Sequence, residues 1–363
     1  MPDTQPGVGM LSKTHPTRNT TRAHGTVREA IAAARSWVND HAGANPDLVC
    51  AYLAGSLNRM DPDAPVPEGS DVDIHIIQSR RGTWVPAEEV DGLLLQCTVQ
   101  DIDLSVPDAV LAHPFEAHPL LFGAVLSDPR GSLASVRATA VPDFSNPRWV
   151  QARCEGAIAS AHEWLGMIRP DDPTGVDGAV PLVAWATSSM AACLANARQR
   201  EPGGRKCLLM ARDVLQDTGR MDLYERLLAL LGVAEFTEDQ VRRYHAESLH
   251  LFDQALQVHR TFVPGDTLLR PFYRTNIRAG ADEILKAGFH REAMWRIQRT
   301  YYTACKVLIA DAPNGERPQY RAMLDALRSD LDLLTGEQVQ ERLRSAKALA
   351  EETWAVALGM ISP

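Results

Sequence analysis

An α+β fold, with a mixed sheet near the N-terminus and helices through the rest, is what this sequence predicts. Three observations predict it. Short apolar runs of strand character fall at 48–54, 71–77 and 92–106. Apolar positions recur at three- and four-residue spacing through nearly everything after residue 148. Between the two patterns, residues 137–150 (RATAVPDFSNPRWV) hold two prolines and little periodicity, which marks a domain boundary. The expected divisions are a disordered tail over 1–25, a sheet domain over 26–147, a helical bundle over 148–262 and a further helical region over 263–363.

Taken in order, the tail is rich in Thr, Pro, Gly and Arg and has few residues able to pack. Thr26-Val27-Arg28-Glu29 fits a capping box and opens a helix to about Asp40. Residues 48–54 (LVCAYLA) read as a buried strand that Gly55-Ser56 ends, and Leu57-Asn58-Arg59 begins a short helix. Such a turn can bring backbone N–H groups close to phosphate oxygens, or it can be an ordinary strand-to-loop turn. The loop from Asp61 to Gly69 holds three prolines and two aspartates. A second strand starts at Asp71, a hairpin or crossover passes through Trp84 and Pro86, and the alternation over 92–106 supports a third strand. A helical stretch then leads to a turn at Asp128-Pro129-Arg130-Gly131. Beyond the boundary, helices are expected over 148–168, 180–200, 205–217, 221–232 and 237–261, then over 268–286, 289–311, 317–334 and 336–361.

Composition narrows the function classes. A chain of 363 residues can bury more than one core, and 45% hydrophobic with 23% charged residues is ordinary for a globular protein. A formal net charge of -9 argues against nucleic acid as a partner, because a phosphate backbone calls for a basic face. The six cysteines, at 50, 97, 154, 193, 207 and 305, form no CxxC pair, so neither a disulfide framework nor a zinc site is signalled. Reduced, buried thiols in a cytoplasmic protein are expected. No run approaches the roughly 18 uninterrupted apolar residues of a membrane span, and the N-terminus lacks the apolar core of a signal peptide.

Chemistry concentrates between Ala51 and Gln78. Alternation along a strand turns Asp71 and Asp73 to one face and Val72 and Ile74 to the other. Two carboxylates so placed repel unless a divalent cation neutralises them or one takes up a proton. Leu95, Cys97, Val99, Asp101 and Asp103 share one parity. If that parity faces the pair, Asp103 or Asp101 completes a three-carboxylate site, with Asp103, between Ile102 and Leu104, the better fixed. His75 shares the parity of the pair, and either touches the site or packs against its neighbours.

Gly55-Ser56-Leu57-Asn58-Arg59, a loop, Ser70-Asp71-Val72-Asp73-Ile74 and then Ile102-Asp103-Leu104 resemble the nucleotidyltransferase superfamily that includes DNA polymerase beta. The spacing of 16 positions from Gly55 to Asp71 is longer than the dozen usual there, which the Pro-rich loop explains. The Gly-Ser-Leu-x-Arg form is similar to that of the aminoglycoside 4'-type enzymes, and the similarity runs weakly to about residue 260. The resemblance implies Asp71, Asp73 and Asp103 as ligands of Mg2+, two ions in all. It implies Gly55, Ser56, Arg59 and Ser70 around the phosphates of a nucleoside triphosphate, ATP by expectation. His162-Glu163-Trp164-Leu165-Gly166-Met167-Ile168-Arg169 matches the helix that carries the family's general base, making Glu163 the candidate, but Met167 replaces the family's lysine. The Arg205-Lys206 pair, with Lys206 the nominee, is the substitute cation or a solvated pair. Trp295, Arg296, Arg299, Tyr301 and Tyr302 bind a base or acceptor, or pack in a helical core.

The implied activity is transfer of a nucleoside monophosphate to a hydroxyl of a small molecule such as an aminoglycoside or another natural product, with release of pyrophosphate. An acidic protein suits a polycationic acceptor. Transfer to tRNA or protein, as in toxins of this superfamily, and a non-catalytic nucleotide-binding regulator are the alternatives. A homodimer is compatible with either.

Overall fold

A computed structural model describes residues 25–41, 45–80, 87–172 and 176–361. All but the last residue of the expected tail lies outside them, as do Trp84 and Pro86. The fold is α+β. Five strands form one mixed sheet: β1 (Leu48–Ala54), β2 (Asp71–Gln78), β3 (Glu88–Val90), β4 (Leu93–Gln100) and β5 (Val125–Ser127), in the order β3-β4-β2-β1-β5. β1 runs antiparallel to β2 and β5, β3 antiparallel to β4, and β2 parallel to β4. Asp91 and Gly92 join β3 to β4 with φ of 52° and 82°, the backbone that a two-residue hairpin favours and that Asp-Gly readily adopts.

The alternation of the strands separates two cores. Val72, Ile74 and Ile76 of β2 and Leu93, Leu95 and Cys97 of β4 pack beneath α1 (Val27–His41). That helix opens with the expected reciprocal cap, the Thr26 N–H donating to Glu29 Oε2 and the Glu29 N–H to Thr26 Oγ1. On the opposite face Cys50, Tyr52 and Ile77 pack with α2 (Pro107–Ala112), α3 (Ala117–Phe122) and α4 (Ser132–Ala140). The apolar run at 92–106 is shorter as a strand than its alternation implies. It ends at Gln100 because Asp101 to Val106 turn toward α2, whose first residue is Pro107.

The remainder is helical: α5 (Pro147–Gly166), α6 (Ala179–Ala197), α7 (Cys207–Asp217), α8 (Met221–Leu231), α9 (Glu238–Val258), α10 (Tyr273–Lys286), α11 (His290–Asp311), α12 (Arg317–Asp330) and α13 (Gly336–Ile361). Proline and glycine breakers fall between them as the sequence requires. α5 and α6 lie antiparallel, since Cys154 Sγ meets the Cys193 carbonyl and Ser160 meets Ser189. α6 is long and apolar enough to cross a membrane by length and composition, yet 78% of that window is buried within the protein. It is the central helix of this core, apolar on most sides because most sides are packed, with Pro181, Leu182, Trp185 and Ser188 half-buried along one face. All six cysteines are buried and unpaired.

Candidate active site

The site forms where the sheet meets the helical region. β1 ends at Ala54, paired with Asp73 of β2. Gly55 follows with φ 76° and precedes a single 3-10 turn, Ser56–Arg59. A Cβ at position 55 would collide with Asp73 Oδ2, so only glycine lets the turn pass this close to the carboxylate. Asp71 and Asp73 lie on the face opposite buried Val72 and Ile74, as the alternation predicts. Burial, and then the charge of Asp71, push the Asp73 carboxyl up to about 7, against the pull of His75 and Arg205.

His75 continues the same face. Its Nδ1 lies 2.7 Å from Glu116 Oε2, which also accepts a hydrogen bond from the Tyr52 hydroxyl at 2.8 Å. Burial alone would depress the imidazole, but the bond and charge of Glu116, with Asp73 and Glu201 beyond it, raise its pKa. Glu116 responds in kind. Burial would raise it, and His75 and Tyr52 together hold it below the usual carboxylate range.

Glu201, just past the end of α6, reaches into the turn. The Gly55 N–H donates to its Oε1 at 2.8 Å, and Arg59 forms an ion pair with its Oε2. Burial raises the Glu201 carboxyl more than Arg59 and the Gly55 N–H lower it. A backbone N–H at the start of a turn and a guanidinium therefore hold a carboxylate. These are the groups expected to hold phosphate.

Two arginines of the helical region complete the surroundings. Arg205 Nη1 donates to the Gly69 carbonyl at 3.2 Å, and Asn276 Nδ2 donates to the same oxygen at 2.7 Å. Arg296 donates to Asn276 Oδ1. The charges of Arg296, Asp71 and Asp73 act on one another, and the buried Tyr273 hydroxyl nearby is pushed up to about 12 by burial and by Asp71.

Gly55, Ser56, Arg59, Ser70, Asp71 and Asp73 are thus brought together, with Ser70 buried immediately before the pair. Asp103, Glu163 and Lys206 are not. In the parallel β2–β4 ladder Asp71 pairs with Leu94 and Asp73 with Gln96, so the even-numbered residues of β4 face the carboxylates and the parity of Asp103 faces the α1 core. Asp103 is exposed past the far end of β4, where Ser105 bonds to it and lowers its pKa. Gln96 stands at the level expected for the third acid. Glu163 is exposed near the end of α5, one residue from His162, which contacts Glu351 of α13. Lys206 Nζ pairs with Glu283 at 2.6 Å on the surface, and it is the neighbouring Arg205, with 11% of its side chain exposed, that turns inward.

The five-residue aromatic and cationic cluster divides. Trp295, Tyr301 and Tyr302 are core residues and Arg299 lies 3.8 Å over the Trp185 ring, whereas Arg296 is tied through Asn276 to the Gly69 carbonyl just before β2. Glu116 and Glu201 escaped the sequence reading because nothing local marks them, whereas Arg296 was singled out only as one member of that cluster. Gln96 was legible, since apolar Leu93, Leu95 and Cys97 already identify the core face of β4. No family model matches the chain, and no curated protein matches it significantly.

Proposed function

We propose that this chain is a Mg2+-dependent nucleotidyltransferase that moves a nucleoside monophosphate from a nucleoside triphosphate, ATP foremost, to a hydroxyl of a small molecule, releasing pyrophosphate. One observation carries the reading. Two carboxylates on one strand face lie against a glycine turn whose N–H and arginine already hold an anionic group, the Glu201 carboxylate. The likeness of Gly55-Ser56 and Asp71-Val72-Asp73 to the nucleotidyltransferase superfamily supports it.

The donors fit the metal. Among the described residues no three His, Cys, Asp or Glu side chains gather as a metal site. Mg2+ needs no such cage, since it keeps several waters and is bound by one or two carboxylates together with substrate phosphates. Asp71 and Asp73 are two hard oxygen donors of that kind. When bound, Mg2+ would neutralise phosphate charge and polarise the reacting phosphoryl group. The protein's own part is positioning. The Gly55 N–H and Arg59 bind phosphate oxygens once Glu201 withdraws, with the Ser56 hydroxyl beside them. The flanking helices exclude water, which strengthens each of these contacts.

Incubation with α-labelled ATP, Mg2+ and panels of aminoglycosides, tRNA and proteins tests the reading. Pyrophosphate release that depends on a small-molecule hydroxyl is expected, with loss of product in Asp71→Asn and Asp73→Asn. Labelling of tRNA or protein instead would move the acceptor to the macromolecular class. Absence of pyrophosphate with every acceptor, together with unaltered ATP binding in both variants, would refute the proposal.

A further inference from the structure

We infer that Arg205 and Arg296 form the subsite for the distal phosphates of a nucleoside triphosphate whose reacting end lies at Asp71 and Asp73. The inference rests on the nucleotidyltransferase reading and adds to it a binding surface from the helical region, including the part beyond residue 263 that the family resemblance leaves without a role.

The two guanidiniums are fixed to the backbone that launches β2. Arg296 on α11 donates to Asn276 Oδ1, Asn276 on α10 donates to the Gly69 carbonyl, and Arg205 donates to that same carbonyl. Gly69 has φ 72°, and a side chain there would strike Ala279 of α10, so helix and loop meet backbone to backbone. Asn276 is buried within this junction. Two long, flexible side chains are thereby held in place before any ligand arrives, which lowers the entropic cost of binding.

Arg296 has a donor to spare. Arg296 Nε is buried and has no hydrogen-bond partner. Neither arginine forms an ion pair with Asp71 or Asp73 among the described residues, although the charges act on one another, and Arg205 Nη2 lies instead 3.7 Å from Glu283 Oε2. Arginine's planar fork pairs closely with a carboxylate wherever the two can meet. Carboxylates and guanidiniums gathered at the start of β2 without closing onto one another leave a gap between opposite charges. That space suits a group negative toward the arginines and bridged by a cation toward the aspartates.

Charge balance selects the ligand. Without one, Asp71 and Asp73 offset Arg296 and share Arg205 with Glu283, which lies 3.7 Å from Arg205 Nη2. Once a divalent cation neutralises the carboxylates, Arg296 loses its compensation and Arg205 keeps only Glu283, both in a half-buried position where uncompensated charge is disfavoured. Phosphates that arrive with the cation restore it, and those remote from the reacting phosphorus are the ones free to turn to the arginines. The Gly55 turn and the arginine pair would then grip the polyphosphate from two sides of the aspartates.

The experiment is calorimetric titration of the full chain, with Mg2+ present, by ATP, inorganic tripolyphosphate and AMP. In Arg205→Gln and in Arg296→Gln, ATP and tripolyphosphate should each bind about tenfold more weakly, with AMP changed by less than about twofold. Arg296→Lys, which keeps charge but not the fork, should fall between. Thermal melts of each variant establish that it is folded, and Arg205→Gln tests the subsite without touching the packing of α11. Wild-type ATP binding that neither variant weakens overturns the inference alone. So does an equal loss for AMP and ATP. A wild-type protein that binds neither ATP nor tripolyphosphate overturns the nucleotidyltransferase reading and this subsite with it.

Discussion

Glu201 and Gly55, 146 residues apart in the chain, are joined by a 2.8 Å hydrogen bond from the glycine N–H to the glutamate carboxylate, and Arg59 closes on the same carboxylate. Under the proposed function this contact competes with the nucleotide. Pro202-Gly203-Gly204 follows directly, with φ of 106° and 73° at the two glycines and open space around both, so the segment bearing Glu201 has room to move. Glu201→Gln should raise ATP affinity severalfold and Glu201→Ala by about tenfold, since a competent state that is no longer masked gains apparent affinity in proportion. Arg59→Ala should lower it. Equilibrium dialysis with labelled ATP measures all three, and weaker binding in Glu201→Ala would show that the carboxylate serves the ligand rather than excluding it.

Asp103 and Glu163 give the opposite prediction. Gln100, the last residue of β4, is already about 13 Å along the strand from the Gln96 level at roughly 3.3 Å per residue, and Asp103 lies beyond it. Asp103→Ala and Glu163→Gln should therefore retain pyrophosphate release to within about threefold of wild type, as surface substitutions generally do. A loss of a hundredfold in either would return that residue to the chemistry and require a large rearrangement around the sheet.

Those two residues mark how far the sequence could be read. Local signals were reliable. The capping box at Thr26, the Gly55 turn, the common face of Asp71 and Asp73, and nearly every helix after residue 147 depend on neighbours in sequence, and all are found. β5 went unread because three residues between two turns carry too little periodicity. The site as a whole depends on contacts of another kind. Glu201 meets Gly55 across 146 residues and Asn276 meets Gly69 across 207, and such pairings are decided by how the helices stack on the sheet. A motif in the right order suggested Asp103, but order carries no register. The pairing of Asp73 with Gln96 is what sets that face.

His118 on α3 links the site to pH. Burial, then the charges of Arg59 and Arg153, drop its imidazole to about 4, and its Nδ1 is buried without a hydrogen bond, 4.0 Å from Glu201 Oε2. In the unfolded chain a histidine titrates near its ordinary value of about 6.5. Between pH 6.5 and 4 the unfolded chain takes up a proton that the folded protein refuses, so stability is full above the upper value and falls as the solution is acidified. At about 1.4 kcal/mol per pH unit, the loss from this group reaches roughly 2 kcal/mol by pH 5. Glu201, whose pKa is raised, contributes a slope of opposite sign, so the informative quantity is a difference between proteins. His118→Phe keeps a ring against Phe122 and Phe144 and should flatten the fall between pH 6.5 and 5 in denaturant titrations. An unchanged slope would mean that His118 is protonated in the fold.

Whether the sheet and the helices act as one unit turns on Arg153. Only 1% of the residue is exposed, and among the described residues no carboxylate forms an ion pair with it. Nη1 donates to the Leu111 carbonyl in α2 and Nη2 to the Phe144 carbonyl, each at 2.9 Å, and the guanidinium lies 4.1 Å over the Phe144 ring. Burial lowers its pKa to about 10, so it stays charged at neutral pH. A cation held by two carbonyls and a ring face fastens α5 to two separate segments of the sheet domain. Arg153→Ala leaves a cavity and two unpartnered carbonyls and should cost about 3 kcal/mol or more, read from the midpoint of chemical denaturation. Arg153→Lys fills part of the space yet cannot reach both carbonyls with one fork, so it should lie between alanine and wild type. Glu201 and Arg296 belong to the helical region that α5 opens, and Gly55 and Asp71 to the sheet side that the clamp fastens to it. Folded Arg153→Ala, kept at low temperature, should therefore bind ATP more weakly although Arg153 touches none of the proposed ligand groups. If its denaturation midpoint and ATP affinity both equal the wild-type values, the two halves are held together by the surrounding apolar contacts, and Arg153 has no part in aligning the site.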